Sequence, residues 1–197
     1  MNARSRMGKY VPAIVTGLIV LVVVAVLLGV LGFRGFAAWY IPIFAGGITA
    51  YLMANLQGTK AGPAATEAQK SAVLNLRPSP GKGLILVHRQ GFVGKMAGME
   101  VTLDGRVLAQ LKSPQFTAVE VDPGPHSLGF GFVGLAAAQN KPEIVQMTVA
   151  EGQVVAWRAT VSMGMTSKNT IKVERDDQVE SLTDDLRRMK MIAPAVA

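Results

Sequence analysis

Two histidines, His88 and His126, are the residues from which catalytic or metal chemistry would have to be built, because the sequence has no cysteine. A hydrolytic triad needs a nucleophile and a base that an acid orients. A metal site would need both histidines together with a carboxylate such as Asp104 or Glu120. Neither an H-x-H nor an H-E-x-x-H spacing is present. We therefore predict no catalytic residue and no metal site, and the sequence identifies no small-molecule substrate.

A glycine-rich stretch, GFGFVG at residues 129–134, matches the bare G-x-G-x-x-G pattern of dinucleotide-binding loops. Such a loop must connect a strand to a helix. Here Leu128, Phe130 and Phe132 alternate as they would in a strand, and no amphipathic helix follows. Glycines on the opposite face of a strand favour close packing or a bulge. We predict no bound cofactor.

Turn chemistry accounts for the second histidine better than catalysis does. Asp104 and Gly105 form the strongest short-range hairpin signal, because a type I′ turn needs positive φ at both central positions. Pro123 and Gly124 belong to a Pro-Gly-Pro turn, and His126 starts the run after it, where an imidazole can hydrogen-bond the backbone across the corner. We interpret these five residues as structural turn residues.

The strands that would position these turns fill residues 84–175. Short apolar or alternating runs recur between turn signals with a period of two residues. One run places five residues on a shared face, with its tryptophan in the core: Val155, Trp157, Ala159, Val161 and Met163. About eight such strands in about 90 residues indicate an all-β antiparallel sandwich of the immunoglobulin-like type.

Three stretches follow one another in this region: ILVHRQ, GMEVTLDGRVLAQLKSPQFTAVEVDPGPHSLGF and VQMTVAEGQVVAWRATVS. In this order they resemble the PEGA-type β-sandwich modules of bacterial envelope proteins and a related group, often lipoproteins. The resemblance covers about residues 84–163, and the literal Pro-Glu-Gly-Ala signature is absent. It implies a non-enzymatic domain for binding or assembly in the envelope.

Two uncharged apolar runs precede the sandwich, from Val11 to Phe33 and from Gly35 to Leu56. Each exceeds the ~20 residues that a helix needs to cross the hydrocarbon layer. Only Arg34 separates them, so we predict a transmembrane α-helical hairpin over residues 11–56. A cleaved signal peptide is the alternative for the first run. The length of that run, its lack of an A-x-A-like site and the immediate second run favour an uncleaved span.

Small residues recur at a four-residue spacing in both predicted spans. They are Ala13 and Gly17 in the first span and Gly46, Ala50 and Ala54 in the second. Such stripes let two membrane helices approach closely. The stripe serves either packing within the hairpin or packing against another copy or a partner membrane protein.

The net charge of +7 lies at the hairpin and its flanks. Residues 1–82 hold eight basic and one acidic residue, whereas residues 83–174 carry +1 and residues 175–197 carry −1. The nearly neutral soluble part argues against nucleic-acid binding, and the basic flanks are attracted to anionic membrane lipid. By the positive-inside rule we predict a multi-pass protein of the bacterial inner membrane, with the basic residues 1–10 and the C-terminus in the cytoplasm.

Three further segments complete the predicted organisation: a linker over residues 57–83, an amphipathic helix over residues 176–192 and a disordered tail over residues 193–197. The helix carries an apolar stripe, which must be buried somewhere. The stripe is formed by Val179, Leu182, Leu186 and Met189. Docking on the sandwich is one destination for it. Self-association, a partner or the membrane surface are the others, so these four are candidate partner-binding residues.

The resulting hypothesis is an integral inner-membrane protein that presents a non-enzymatic β-sandwich as a binding or assembly module. It would act as a subunit or accessory of a membrane protein complex, or as a homo-oligomer. One alternative is an envelope-facing module that binds glycan or a protein, and a third reading is an enzyme of unknown type.

Overall fold

The computed structural model describes residues 10–56, 59, 62–163 and 169–195. The chain divides into two compact units, Met1–Gln57 and Gly58–Ala197. The predicted basic N-terminus, apart from Tyr10, lies outside the described residues. Each unit is described by itself.

The first unit contains two helices, α1 (Val11–Val30) and α2 (Phe36–Leu56). The elements described in the second unit are α3 (Glu67–Leu74), β1 (Gly83–Arg89), β2 (Met99–Leu103), β3 (Arg106–Leu111), β4 (Gln115–Val121), β5 (Gly124–Phe132), α4 (Leu135–Gln139), β6 (Asn140–Lys141), β7 (Glu143–Val149), β8 (Val154–Ser162), β9 (Asn169–Asp176), α5 (Val179–Arg188) and β10 (Lys190–Met191).

Both helices of the first unit are long and apolar enough to cross a membrane. In the most apolar stretch of each, only 11% of the residues are buried, whereas a core helix of a soluble protein is mostly buried. Large side chains such as Val30 and Trp39 point outward. The predicted helical hairpin is therefore present, and its outer surface is apolar.

The second unit contains two sheets. The smaller one has the order β3-β2-β5-β7 and is antiparallel throughout. The larger one has the order β10-β4-β1-β8-β9-β6 and is mixed, because β1–β8, β10–β4 and β6–β9 are parallel pairs. The expectation of a wholly antiparallel sandwich is therefore wrong for the larger sheet.

One hydrophobic core fills the space between the sheets. Ile85 and Val87 of β1 meet Met99, Leu128 and Phe130 of the smaller sheet in this core. Trp157 packs at its edge, half-buried, with its indole N–H 3.1 Å from the Met147 sulfur. Met163, expected on the same face, follows the end of β8 and is 75% exposed.

Helices cover the other face of the larger sheet. Leu84, Leu86 and Phe116 of the sheet pack against Leu182 and Leu186 of α5, and α3 adds Val73 and Leu74. All seven residues of β1 are buried because this strand is covered on both faces. The stripe proposed for partner binding is therefore occupied by the protein's own sheet, with Leu182, Leu186 and Met189 buried and Val179 partly buried in the same cluster.

Described residues of the predicted linker and of the predicted tail pair with other parts of the second unit. Ala64 forms an antiparallel bridge with Ile192, and the Ala65 amide donates to the Met191 carbonyl. The Ala195 amide donates to Leu108 of β3. The predicted helix over 176–192 is also shorter than expected, because it ends at Arg188 and the chain then extends as β10 beside β4.

Candidate functional site

The two histidines lie in different surroundings and form no joint site. His88 is on β1, on the helix-covered face of the larger sheet, and His126 lies two residues into β5. Among the described residues, no group of three or more histidine, aspartate or glutamate side chains is placed to hold a metal ion.

His126 bridges two turns of the smaller sheet. Its Nδ1 is 2.8 Å from an Asp104 carboxylate oxygen, and its Nε2 is 2.8 Å from the Asp122 carbonyl oxygen. Both neighbours accept hydrogen bonds, so the doubly protonated ring satisfies both contacts. Burial alone would lower the pKa of His126, but the bond to the Asp122 carbonyl and the Asp104 carboxylate together raise it.

Asp104 completes this corner from the other turn. Its backbone φ of +49° and that of Gly105, +79°, fit the predicted two-residue hairpin turn between β2 and β3. One carboxylate oxygen accepts from the Ser127 amide at 2.8 Å. Two of the predicted turn residues, Asp104 and His126, are thus in direct contact, and His126 also bonds to the residue before Pro123.

The glycine-rich stretch, residues 129–134, covers the end of β5 and reaches Gly134, the N-cap of the five-residue helix α4, so a short helix follows it directly. Leu128, Phe130 and Phe132 point into the core, as the alternation predicts. Gly129 lies on the opposite face, where a β-carbon would collide with the Thr102 hydroxyl. This glycine is therefore explained by close packing between neighbouring strands.

The small residues of the hairpin form a seam between α1 and α2. Ala13, Gly17, Gly46 and Ala54 are buried within the first unit. A β-carbon on Gly17 would come within 2.7 Å of the Ala50 β-carbon, and one on Gly46 within 2.6 Å of the Gly17 carbonyl oxygen. The stripe thus serves packing within the hairpin.

His88 is buried, and neither ring nitrogen has a hydrogen-bond partner among the described residues. The nearest carboxylate oxygen, on Asp176, is 3.6 Å from Nε2, outside ordinary hydrogen-bond reach. Burial lowers the pKa of His88, and the negative charge of Asp176 opposes this only in part.

Arg89 is an unusual residue of the second unit, here called the β-unit, because its side chain is fully buried between the sheets. It donates to the carbonyl oxygens of Gly94 and Leu111, each at 2.7 Å, and to that of Ala97. The group also lies 5.0 Å from the centre of the Phe132 ring. Burial lowers the pKa of Arg89 to about 10, so it remains a cation at neutral pH.

These contacts organise the segment after β1, residues 90–98, here called the Arg89 loop. The Ser113 hydroxyl donates to the Gly91 carbonyl at 2.7 Å, and the Ser113 amide donates to the Lys95 backbone carbonyl at 3.2 Å. At the end of the loop, the Gly98 amide donates to the Thr59 hydroxyl at 3.1 Å. Bonds from three separate segments thus fix the backbone of this loop.

The Arg89 loop holds two large apolar side chains in solvent. Phe92 is 87% exposed and Met96 is 59% exposed. Phe92 and the exposed Lys95 line a shallow groove of about 360 Å³ together with Pro114 and Met189. The loop thus exposes two large apolar side chains close to a lysine at this groove.

A second cavity of about 460 Å³ lies between α3 and β4. It is lined by Val73, Leu84 and Met191 on the apolar side and by Arg77 and Glu120 on the polar side. The Glu120 carboxylate already accepts from the Ser79 amide and hydroxyl. The cavity is large enough for a small molecule, but the carboxylate that lines it is already hydrogen-bonded within the protein.

No protein-family model matches the chain, and a comparison with curated proteins finds no relative. The resemblance to PEGA-type modules therefore stays a prediction.

Sequence reasoning singled out the turn residues Asp104 and His126 and the small residues of the hairpin, but it missed the Arg89 loop. The partners of Arg89 are backbone carbonyls, which carry no sequence signal. The one available signal was QGFVGKMAG, a glycine-rich segment whose apolar residues fit neither the helix nor the strand period.

Proposed function

We propose that the chain is an integral membrane protein of the bacterial inner membrane, which presents its β-unit in the cytoplasm as a non-enzymatic binding or assembly module. The observation that carries the proposal is the hairpin: two apolar helices bury small residues against each other and turn their large apolar side chains outward. Lipid is the environment in which such a surface is stable.

The orientation is supported by charge. Basic residues flank the hairpin on the side of its two open ends, and Arg34 alone lies at its turn. This asymmetry favours a cytoplasmic position for both open ends. The role in binding or assembly is supported by the order of strand and turn motifs that resembles PEGA-type modules.

The chain has no cysteine, so single cysteines can report the topology. We suggest Ser162→Cys, at an exposed end of β8, and Phe33→Cys, in the turn between α1 and α2. An impermeant thiol reagent should reach Phe33→Cys from outside the inner membrane and should reach Ser162→Cys only after the membrane is opened. The reverse pattern would contradict the cytoplasmic assignment and favour the envelope-facing alternative.

Assembly has a separate test. The full chain extracted in two mild detergents should migrate with a mass larger than one protein copy plus its micelle, measured by light scattering. A monomer under both conditions, and in nanodiscs, would contradict the assembly role and leave the membrane anchor intact.

A further inference from the structure

We propose that the Arg89 loop is a lipid-contacting element, in which Phe92 and Met96 enter the headgroup region of the membrane and Lys95 pairs with anionic lipid. This inference rests on the proposed function, because it needs α2 to be in a membrane.

The Arg89 loop is bonded to a residue that follows α2 closely in the chain. Thr59 follows Leu56, the last residue of α2, by three residues. Three residues of chain extend at most about 11 Å, whatever the arrangement of the two units. If α2 ends at the membrane surface, Thr59 lies close to that surface, and its hydroxyl accepts the hydrogen bond from Gly98 at the end of the Arg89 loop.

The composition of the Arg89 loop fits contact with a lipid interface. An interfacial element combines large apolar side chains with basic ones. The loop offers Phe92 and Met96 to solvent with Lys95 between them, and no acidic residue occurs within residues 90–98. Lys112, next to Ser113, adds a further positive charge beside the loop.

Hydrogen bonds hold the backbone of the Arg89 loop. The buried Arg89 side chain donates to the Gly94 and Ala97 carbonyls, and the hydroxyl and amide of Ser113 donate to the Gly91 and Lys95 carbonyls. The exposure of Phe92 therefore follows from a backbone that these hydrogen bonds hold in place. A preorganised loop loses little conformational entropy when it enters the interface.

The test uses the full chain in vesicles of phosphatidylcholine and phosphatidylglycerol, with three single-tryptophan proteins. The first keeps Trp39 and carries Trp157→Phe. The other two carry Trp39→Phe and Trp157→Phe together with either Phe92→Trp or Val107→Trp. Val107 is the matched control, because it is a 45% exposed apolar residue toward the other end of the β2–β3 ladder.

Lipid labelled with a nitroxide at the top of the acyl chain reports contact with the interface, and aqueous iodide reports contact with water. We expect the lipid to quench the Trp39 and Phe92→Trp proteins to a similar extent and to leave the Val107→Trp protein bright. Iodide should show the opposite order for the two variants. Replacing the anionic lipid by neutral lipid should weaken lipid quenching of the Phe92→Trp protein.

The outcomes separate the two proposals. Lipid quenching of the Trp39 protein alone would overturn the lipid-contacting loop and leave the membrane anchor in place. Absence of lipid quenching in all three proteins would overturn the anchor itself. Shielding of the Phe92→Trp protein from both quenchers would place the loop in a protein contact and would also overturn the proposal. Met96→Trp serves as a second reporter if Phe92→Trp lowers the folded yield.

Discussion

β1 ends in two adjacent buried polar residues, His88 and Arg89. Their side chains lie on opposite faces of the larger sheet and differ in their hydrogen bonds. Arg89, on the face between the sheets, donates hydrogen bonds to three carbonyl oxygens and packs near the Phe132 ring. His88, on the face beneath the helices, has no hydrogen-bond partner among the described residues and lies 3.6 Å from Asp176. Burial alone therefore does not tell what a polar side chain contributes.

The difference assigns distinct roles to the two faces. On the face between the sheets, the buried guanidinium of Arg89 donates to carbonyl oxygens of the Arg89 loop. These would otherwise be unpaired, because the loop lacks regular secondary structure. On the face beneath the helices, apolar packing of α5 against the sheet stabilises the fold. His88 is buried on the same face, and its ring has no hydrogen-bond partner in the part of the chain that the structure describes.

Removal of the buried arginine is expected to have the largest effect. Arg89→Met removes the donor from the buried Leu111 carbonyl and from the partly buried bonds to Gly94 and Ala97, so the free energy of unfolding should fall by about 3–5 kcal/mol. The measurement is denaturant unfolding of the full chain in detergent, followed by Trp157 fluorescence in a Trp39→Phe background.

Arg89→Lys is the matched control for charge. It keeps a cation but lacks the planar fork that reaches several carbonyls at once, so it should recover only part of the lost stability. The usual cost of leaving a buried polar group unpaired is larger than ~1 kcal/mol when several groups are affected. If the free energy of unfolding of Arg89→Met lies within ~1 kcal/mol of that of the parent protein, Arg89 does not organise the loop.

Leu186→Ala tests the packing of α5 on the larger sheet. Leu186 is fully buried between α5 and the sheet, and its truncation should lower the free energy of unfolding by about 2–5 kcal/mol. Arg187→Ala, at an exposed neighbouring position, should leave the stability nearly unchanged. Equal stability of the two variants would mean that α5 is not docked, and it would reopen its stripe as a partner-binding surface.

The same comparison shows where sequence reasoning succeeds and where it stops. The period of two residues revealed β5 and the hairpin turn at Asp104, because alternation and turn chemistry are local properties. It did not reveal that β1 pairs in parallel with β8, since that pairing depends on where the intervening chain runs. The continuous apolar run of β1 is explained only once helices are known to cover its second face.

The site was predictable to a smaller degree. The His126 corner follows from side chains with specific turn preferences, and the structure places them together. The Arg89 loop depends on which carbonyls a buried guanidinium reaches. That is a property of the tertiary fold and not of residue spacing.

A smaller, pH-dependent effect is expected at His126. Its pKa in the folded protein is raised, so its contribution to stability is fully present below the unfolded pKa of about 6.5. That contribution is lost as the pH rises through the folded pKa. The melting temperature of the parent protein should thus fall relative to that of His126→Asn when the pH increases through neutrality. A constant difference between the two proteins from acid to alkaline pH would contradict this role.

The smallest effect at neutral pH is expected for His88→Leu. It removes an unpaired buried ring and keeps an apolar side chain among Phe116 and the α5 packing, so the free energy of unfolding should change by less than about 1.5 kcal/mol. The pKa of His88 in the folded protein is lowered by burial. The unfolded chain therefore binds the proton more readily, and the parent protein should lose stability as the pH falls below about 6.5.

This acid-side loss has the opposite sign to that of His126, so one pH series can separate the two histidines. His88→Leu should flatten the acid side of the stability curve and leave the neutral-to-alkaline side unchanged. Asp176, Arg158 and Asp185 also act on His88, and Asp176→Asn should deepen the acid-side loss by removing the carboxylate that favours the protonated ring. A strong destabilisation by His88→Leu at pH 8 would show that the ring has a partner in solution and that the two faces of β1 are more alike than their contacts indicate.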